Sequence, residues 1–205
     1  MPRFKDLPFN SRPDLTPYLL HMTKNTNAKD EFSAFDNLVH ILETGIIWGT
    51  GREGYVKGPN KAACFMDVPF ASLKYVLTPE AADPQNPRYE PYGVVVTKRS
   101  AYRKGARPVL YLSDPEVRTL GIPPEEIWRV VKLQTNRDEW ISWLHEREWR
   151  CKGRFKLPSE VHAVLVKNSK DAARLAAKIG KNPKGFKCRP RSIIPLTVIL
   201  QGLLK

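Results

Sequence analysis

Eighteen prolines, most of them in connecting segments, weigh against a helical bundle for this chain and favour a loop-rich α+β fold. Between them stand short apolar runs of strand length. Tyr18–Thr23 opens the series, Ala62–Met66 reads as a buried strand, and Tyr92–Thr97 is a strong one. Pro108–Leu112, Val161–Val166 and Ile193–Leu200 complete it, with Pro195 arguing for an edge position in the last. Helical spacing is rarer. Ser33 caps a helix with Asp36 three residues on, Phe35, Leu38, Val39 and Leu42 supply its apolar face, and Gly45 ends it. Asp67 is expected to cap a short helix, with Pro69 near its first turn, running through Leu73, Tyr75, Val76 and Leu77. Further helices are expected over 123–135, and over 170–179 after a Ser169 cap and before Gly180. The expected architecture is α+β: a split, mixed or antiparallel sheet core with a few helices. Residues 1–17 read as an N-terminal arm and 18–205 as one domain; 78–91 and 181–191 read as loops.

The residues that carry chemistry lie at Trp143-Leu144-His145-Glu146-Arg147-Glu148-Trp149-Arg150. On an extended strand, positions two apart face the same way, so Glu146 and Glu148 would enter one site together. The alternative is a solvated edge strand or helix face with local ion pairs; on a helix the two would diverge. Trp143 and Trp149 either stack on a base or fill the core, with core favoured for Trp149. Gly49, Gly51, Gly54 and Gly58 make a flexible loop, either a closing lid or an ordinary solvent loop. It lacks the spacing of a dinucleotide fingerprint between strand and helix.

Charge is the other strong constraint. Thirty-four Lys and Arg stand against 21 Asp and Glu, a net +13, which attracts polyanions. The cations cluster at Lys98, Arg99, Arg103, Lys104 and Arg107, then at Arg147, Arg150, Lys152, Arg154 and Lys156. A third group is Lys178, Lys181, Lys184, Lys187, Arg189 and Arg191. Nucleic acid is the expected partner, with Arg99, Arg103, Lys104, Arg147, Arg150, Lys152 and Arg154 as contacts. A basic solvated surface or an acidic protein partner remains the alternative. Three scattered cysteines and four histidines form no ligand spacing, so no metal is expected. No apolar run approaches membrane-spanning length and the first residues lack a secretory core; a cytoplasmic protein with reduced thiols is expected.

In order, these segments resemble one family. His21-Met22-Thr23 is followed by a helix of the form N-L-x-x-I-L-x-x-G, Asn37 to Gly45. Cys64-Phe65-Met66-Asp67-Val68-Pro69 is similar to the C-F-T-[DE]-[IV]-P box of AbiGi-type abortive-infection proteins. Tyr92-Gly93-Val94 and Gly105-Ala106-Arg107-Pro108-Val109-Leu110-Tyr111 resemble that family's Y-G-[IV] and G-x-x-P-V-x-Y segments. Glu146-Arg147-Glu148-Trp149-Arg150 matches its E-x-E-W-R box. The family resembles a distant branch of the ADP-ribosyltransferase fold, which includes DarT-like DNA-modifying toxins.

The resemblance implies NAD as substrate and an NAD-dependent ADP-ribosyltransferase that modifies DNA or RNA, in phage defence or as a toxin, with a neutralising antitoxin or defence partner. Glu148 would be the catalytic glutamate, Glu146 the residue meeting the acceptor, and His21 the holder of the nicotinamide ribose; Thr23 is a further candidate contact to NAD. For His21 a structural role is the alternative. Phe65, Tyr75 and Tyr92 are candidates for the middle-strand residue against NAD, and Arg52 or Arg99 for its pyrophosphate. Competing readings are a non-catalytic nucleic-acid-binding module on the same fold, a protein-modifying transferase, and, more weakly, a nuclease.

Overall fold

A computed structural model describes residues 12–26, 32–52, 55–77, 89–135 and 140–200. Most of the expected arm, most of the 78–91 loop and Gly54 lie outside them. Along the chain come β1 (Tyr18–Met22), α1 (Ala34–Thr44), β2 (Ile46–Trp48), β3 (Ala62–Met66), β4 (Gly93–Thr97), α2 (Lys98–Arg103), β5 (Arg107–Pro108), β6 (Leu110–Leu112) and α3 (Asp114–Thr119). Then follow β7 (Val130–Lys132), β8 (Gln134–Thr135), β9 (Trp140–Ile141), β10 (Glu148–Lys152), β11 (Arg154–Lys156), β12 (Glu160–Val161), β13 (Ala163–Val166), α4 (Ser169–Lys181), β14 (Arg189–Pro190), β15 (Ile193–Pro195) and α5 (Leu196–Ile199). The class is α+β, with antiparallel pairing dominant.

The chain divides into two compact units. The first comprises Met1–Gly45, Asp67–Lys98 and Pro158–Lys205. Its sheet runs β15-β13-β4-β1, parallel only between β15 and β13. Both faces of its central strands are covered: Leu19, Leu20, Val94, Val95, Val96, Val164, Leu165 and Val166 are buried. Gly93 is required where β4 meets β1, because a Cβ there would lie 2.6 Å from the His21 carbonyl oxygen. α1 forms as its sequence indicates. The Ser33 hydroxyl accepts the Asp36 N–H, the apolar face is buried, and Gly45 closes the helix in the left-handed region at φ 66°.

The second unit comprises Ile46–Met66 and Arg99–Leu157. Its main sheet is β3-β10-β5, wholly antiparallel, and a separate ribbon pairs β2 with β11. One glycine joins the two. Gly153, at φ 72°, turns the chain out of β10 into β11. Its carbonyl oxygen lies where a Cβ on Gly49 would sit, only 1.9 Å away, so the 49–61 loop must begin with a bare backbone. This loop is also pinned by reciprocal Thr50 and Ala62 bonds at 3.0 Å; Gly49 is there for close approach rather than mobility.

Several boundaries depart from the sequence reading. The 123–135 segment is a 3-10 turn over Pro124–Arg129 followed by β7 and β8: Val130 and Val131 are β-branched and pair with β6. Pro108–Leu112 is two strands. Asp67 caps no helix; the turn Phe70–Tyr75 begins at Pro69, while the Asp67 carboxylate binds the Lys98 ammonium at 2.8 Å. The α4 cap is Asn168, one residue before Ser169. Pro195 does end an edge strand, but Leu196–Ile199 is helical.

Candidate functional site

Glu148 begins β10 in the second unit, and its side chain points to the same face as Arg150. The two form a two-pronged ion pair: Arg150 Nε donates to Glu148 Oε1 at 2.8 Å, and Nη2 to Oε2 at 3.0 Å. Arg150 Nη1 also donates to the Trp128 carbonyl at 2.9 Å. The side chains are 12% and 3% exposed for Glu148 and Arg150. Burial works against the guanidinium charge, but the Glu148 carboxylate more than offsets it, holding Arg150 above its ordinary value. Glu148 is therefore a fixed, oriented anion with little water around it.

Two further groups frame that carboxylate. Cys64 on β3 sits opposite Arg150, and burial, then the Glu148 charge, pushes its thiol up. Tyr111 accepts the Glu148 backbone N–H at its hydroxyl, 3.1 Å away. Burial raises the Tyr111 phenol, the Glu148 N–H opposes this, and the Glu148 and Glu146 carboxylates push it further up. Tyr111 thus feels both acids. Glu146 is not on the strand, however. It ends a 3-10 turn, Leu144–Glu146, and Arg147 follows in the left-handed region at φ 46°. The strand-alternation argument for the pair fails, because β10 starts only at Glu148. The turn sets the two acids apart in the chain, and the charge of each raises the Tyr111 phenol.

The other sequence candidates separate. Arg150 is enclosed with Glu148, so it offers nothing to a nucleic acid. Phe65 is 2% exposed and lies on the opposite face of β3 from Cys64, edge-on to Phe155 at 4.9 Å between ring centres. It has no surface to present to NAD. In the first unit, Thr23 is buried and its hydroxyl donates to the Ala34 carbonyl at 2.8 Å, tying β1 to α1. Tyr92 donates its phenol to Asp171 at 2.9 Å, and its ring meets Phe35. Tyr75 is 73% exposed in the same unit. His21 is partly buried on β1, opposite Val94. Arg52, Arg99, Arg103, Lys104, Lys152 and Arg154 are exposed, and Arg147 is partly buried. Among the described residues no group of three His, Cys, Asp or Glu gathers into a metal site, and no described helix is long and apolar enough to cross a membrane.

The chain is similar in structure to a DarT protein. That protein, from Thermus sp. 2.9 and in complex with NAD+, aligns with a TM-score of 0.48 at 16% identity, over 87% of this chain and 95% of that one. The same protein with carba-NAD+ aligns with a TM-score of 0.47, also at 16% identity and with the same coverage. No family model matches the sequence, and no curated protein matches it.

Tyr111 stands in the G-x-x-P-V-x-Y segment, but nothing local in the sequence shows that its hydroxyl meets the Glu148 N–H, 37 residues away.

Proposed function

We propose that the chain is an NAD-dependent ADP-ribosyltransferase of the AbiGi-like branch, with Glu148 as its catalytic carboxylate and nucleic acid as its acceptor. The observation that carries this reading is Glu148 itself, largely enclosed and locked in orientation by Arg150. Breaking the nicotinamide–ribose bond of NAD develops positive charge on the ribose while nicotinamide leaves neutral. A carboxylate that is already oriented stabilises that charge without reorganising, and such a group is worth roughly 10²–10³ in rate. Each Glu148 oxygen has a second lone pair beyond the one given to Arg150, so the ribose 2′-hydroxyl has an acceptor. Glu146, at the end of the turn before β10, takes the proton of the acceptor or orients it. The exposed cations of the second unit serve the acceptor strand. The resemblance gives His21 the nicotinamide ribose, a role that His21→Ala tests through KM for NAD. Phage defence or toxicity, a neutralising partner and a cytoplasmic setting belong to the same proposal; the thiols of Cys64, Cys151 and Cys188, none joined in a disulfide, fit a reducing compartment.

One observation favours a second reading. Arg150 occupies a lone pair on each Glu148 oxygen, which suits a structural pair in a non-catalytic nucleic-acid-binding module. NAD hydrolysis separates the two. The transferase reading expects nicotinamide release by the purified chain, stimulated by DNA or RNA and lost in Glu148→Gln. Release absent under every nucleic-acid condition leaves the binding module.

A further inference from the structure

Trp48 is 57% exposed, and the β2–β11 ribbon shows why it need not be. The ribbon has two faces. Ile47 and Phe155, paired with each other, are buried inward. Trp48 pairs with Arg154 and Ile46 with Lys156 on the other face. This outer face looks away from the Ile47–Phe155 pair, yet it carries a large aromatic with more than half of its surface in water. The Arg154 guanidinium lies over it, 5.5 Å from a ring centre. Lys152 and Lys61 are exposed where the ribbon begins, the Lys61 carbonyl accepting the Gly153 N–H at 2.7 Å. Among the described residues Glu126 reaches Lys152 at 3.5 Å, a weak pair with both side chains 45% exposed.

We propose that this outer face binds a polynucleotide strand, with an unpaired base stacked on Trp48 and flanking phosphates held by Lys61, Lys152, Arg154 and Lys156. A flat aromatic framed by cations matches a chain that alternates flat rings with phosphates. An acidic peptide would use the cations and leave the indole idle. A duplex keeps its bases stacked on one another and offers Trp48 no face. The proposal rests on the reading of nucleic acid as acceptor, but it concerns docking alone, and none of its residues touches Glu148 in the contacts described above.

The test is binding by the full chain without NAD. Fluorescent 12-nucleotide DNA and RNA single strands and a DNA duplex are titrated by anisotropy at two salt concentrations. Trp48→Ala is expected to weaken the better-bound single strand by roughly 5- to 150-fold, the range for one stacked base, and to leave duplex binding unchanged. Trp48→Phe keeps most of the affinity. Arg154→Ala with Lys156→Ala flattens the logarithmic salt slope on single strands by about 1.4, roughly 0.7 for each phosphate no longer neutralised. Thermal melts of all variants are compared first; Trp48 is solvent-facing, so its replacement should not move them. Wild-type single-strand affinity in Trp48→Ala overturns the proposal, as does an equal loss on duplex. Because no NAD enters the assay, single-strand binding lost with Trp48 supports the surface even if nicotinamide release is never seen.

Discussion

Glu148 and Arg150 meet because strand positions two apart share a face, and because the Trp128 and Val130 carbonyls close over the guanidinium. Removing one partner leaves an uncompensated buried charge, so Arg150→Met is expected to lower unfolding free energy by about 3–5 kcal/mol. Arg150→Lys keeps the charge and loses the fork, and should fall between. Urea unfolding measures both; an unchanged midpoint in Arg150→Met would show that the pair is not enclosed in solution. The thiols give a second residue-scale prediction. Burial pushes Cys188 up to about 12, and it raises Cys64 and Cys151 as well. All three should resist iodoacetamide at pH 8 in the native protein and react once unfolded. The linkage has a definite sign. A thiol raised by folding binds its proton more tightly in the native state, so its stabilisation is complete below the unfolded value of about 8.5 and is lost as pH rises towards 12. At this scale the sequence showed Glu148 as a candidate, but it also counted Arg150 among the nucleic-acid contacts. Charge is local information; the enclosure of Arg150 depends on carbonyls some 20 residues away.

Elements with complete local signals were readable in full. α1 has its cap, its apolar period and its terminal glycine in one stretch, and each does in the structure what its position indicates. α4 tests how fine such reading can be. Asn168 and Ser169 are both good caps by type, but only the Asn168 side chain accepts the Asp171 N–H, at 3.0 Å. Asn168→Ala should cost about 0.5–2 kcal/mol, and Ser169→Ala close to nothing; the reverse order in thermal melts would place the helix start one residue later. Pro108–Leu112 could not be read correctly because one run serves two ladders. Arg107–Pro108 pairs with β10, the Val109 N–H goes to the Glu148 carbonyl, and Leu110–Leu112 pairs with β7. The E-x-E pair failed for a similar reason: a left-handed residue at Arg147 ends the turn just before the strand. Gly49→Ala forces two backbones apart and should destabilise by about 1–3 kcal/mol, seen as a lower Tm. An unshifted Tm would mean that the corner opens at little cost.

At the scale of the molecule, class and charge were legible and partnering was not. Proline distribution and strand-length apolar runs led to α+β, and the structure is α+β. Which strand lies beside which depends on non-local pairing, and the order β15-β13-β4-β1 in one unit and β3-β10-β5 in the other has no local signature. A net +13 makes one further expectation general. Affinity for any nucleic acid should fall steeply with salt, by orders of magnitude between 50 and 200 mM if six or more phosphates are neutralised. A flat salt response would remove nucleic acid as the acceptor.

The most direct test of the central claim is transfer of label from adenine-labelled NAD to single-stranded DNA or RNA, with wild type and Glu148→Gln compared side by side after their folds and nucleic-acid affinities have been matched. Labelled nucleic acid is expected with wild type, and a loss of at least about 10²-fold in the variant. Equal labelling by the two proteins would contradict it.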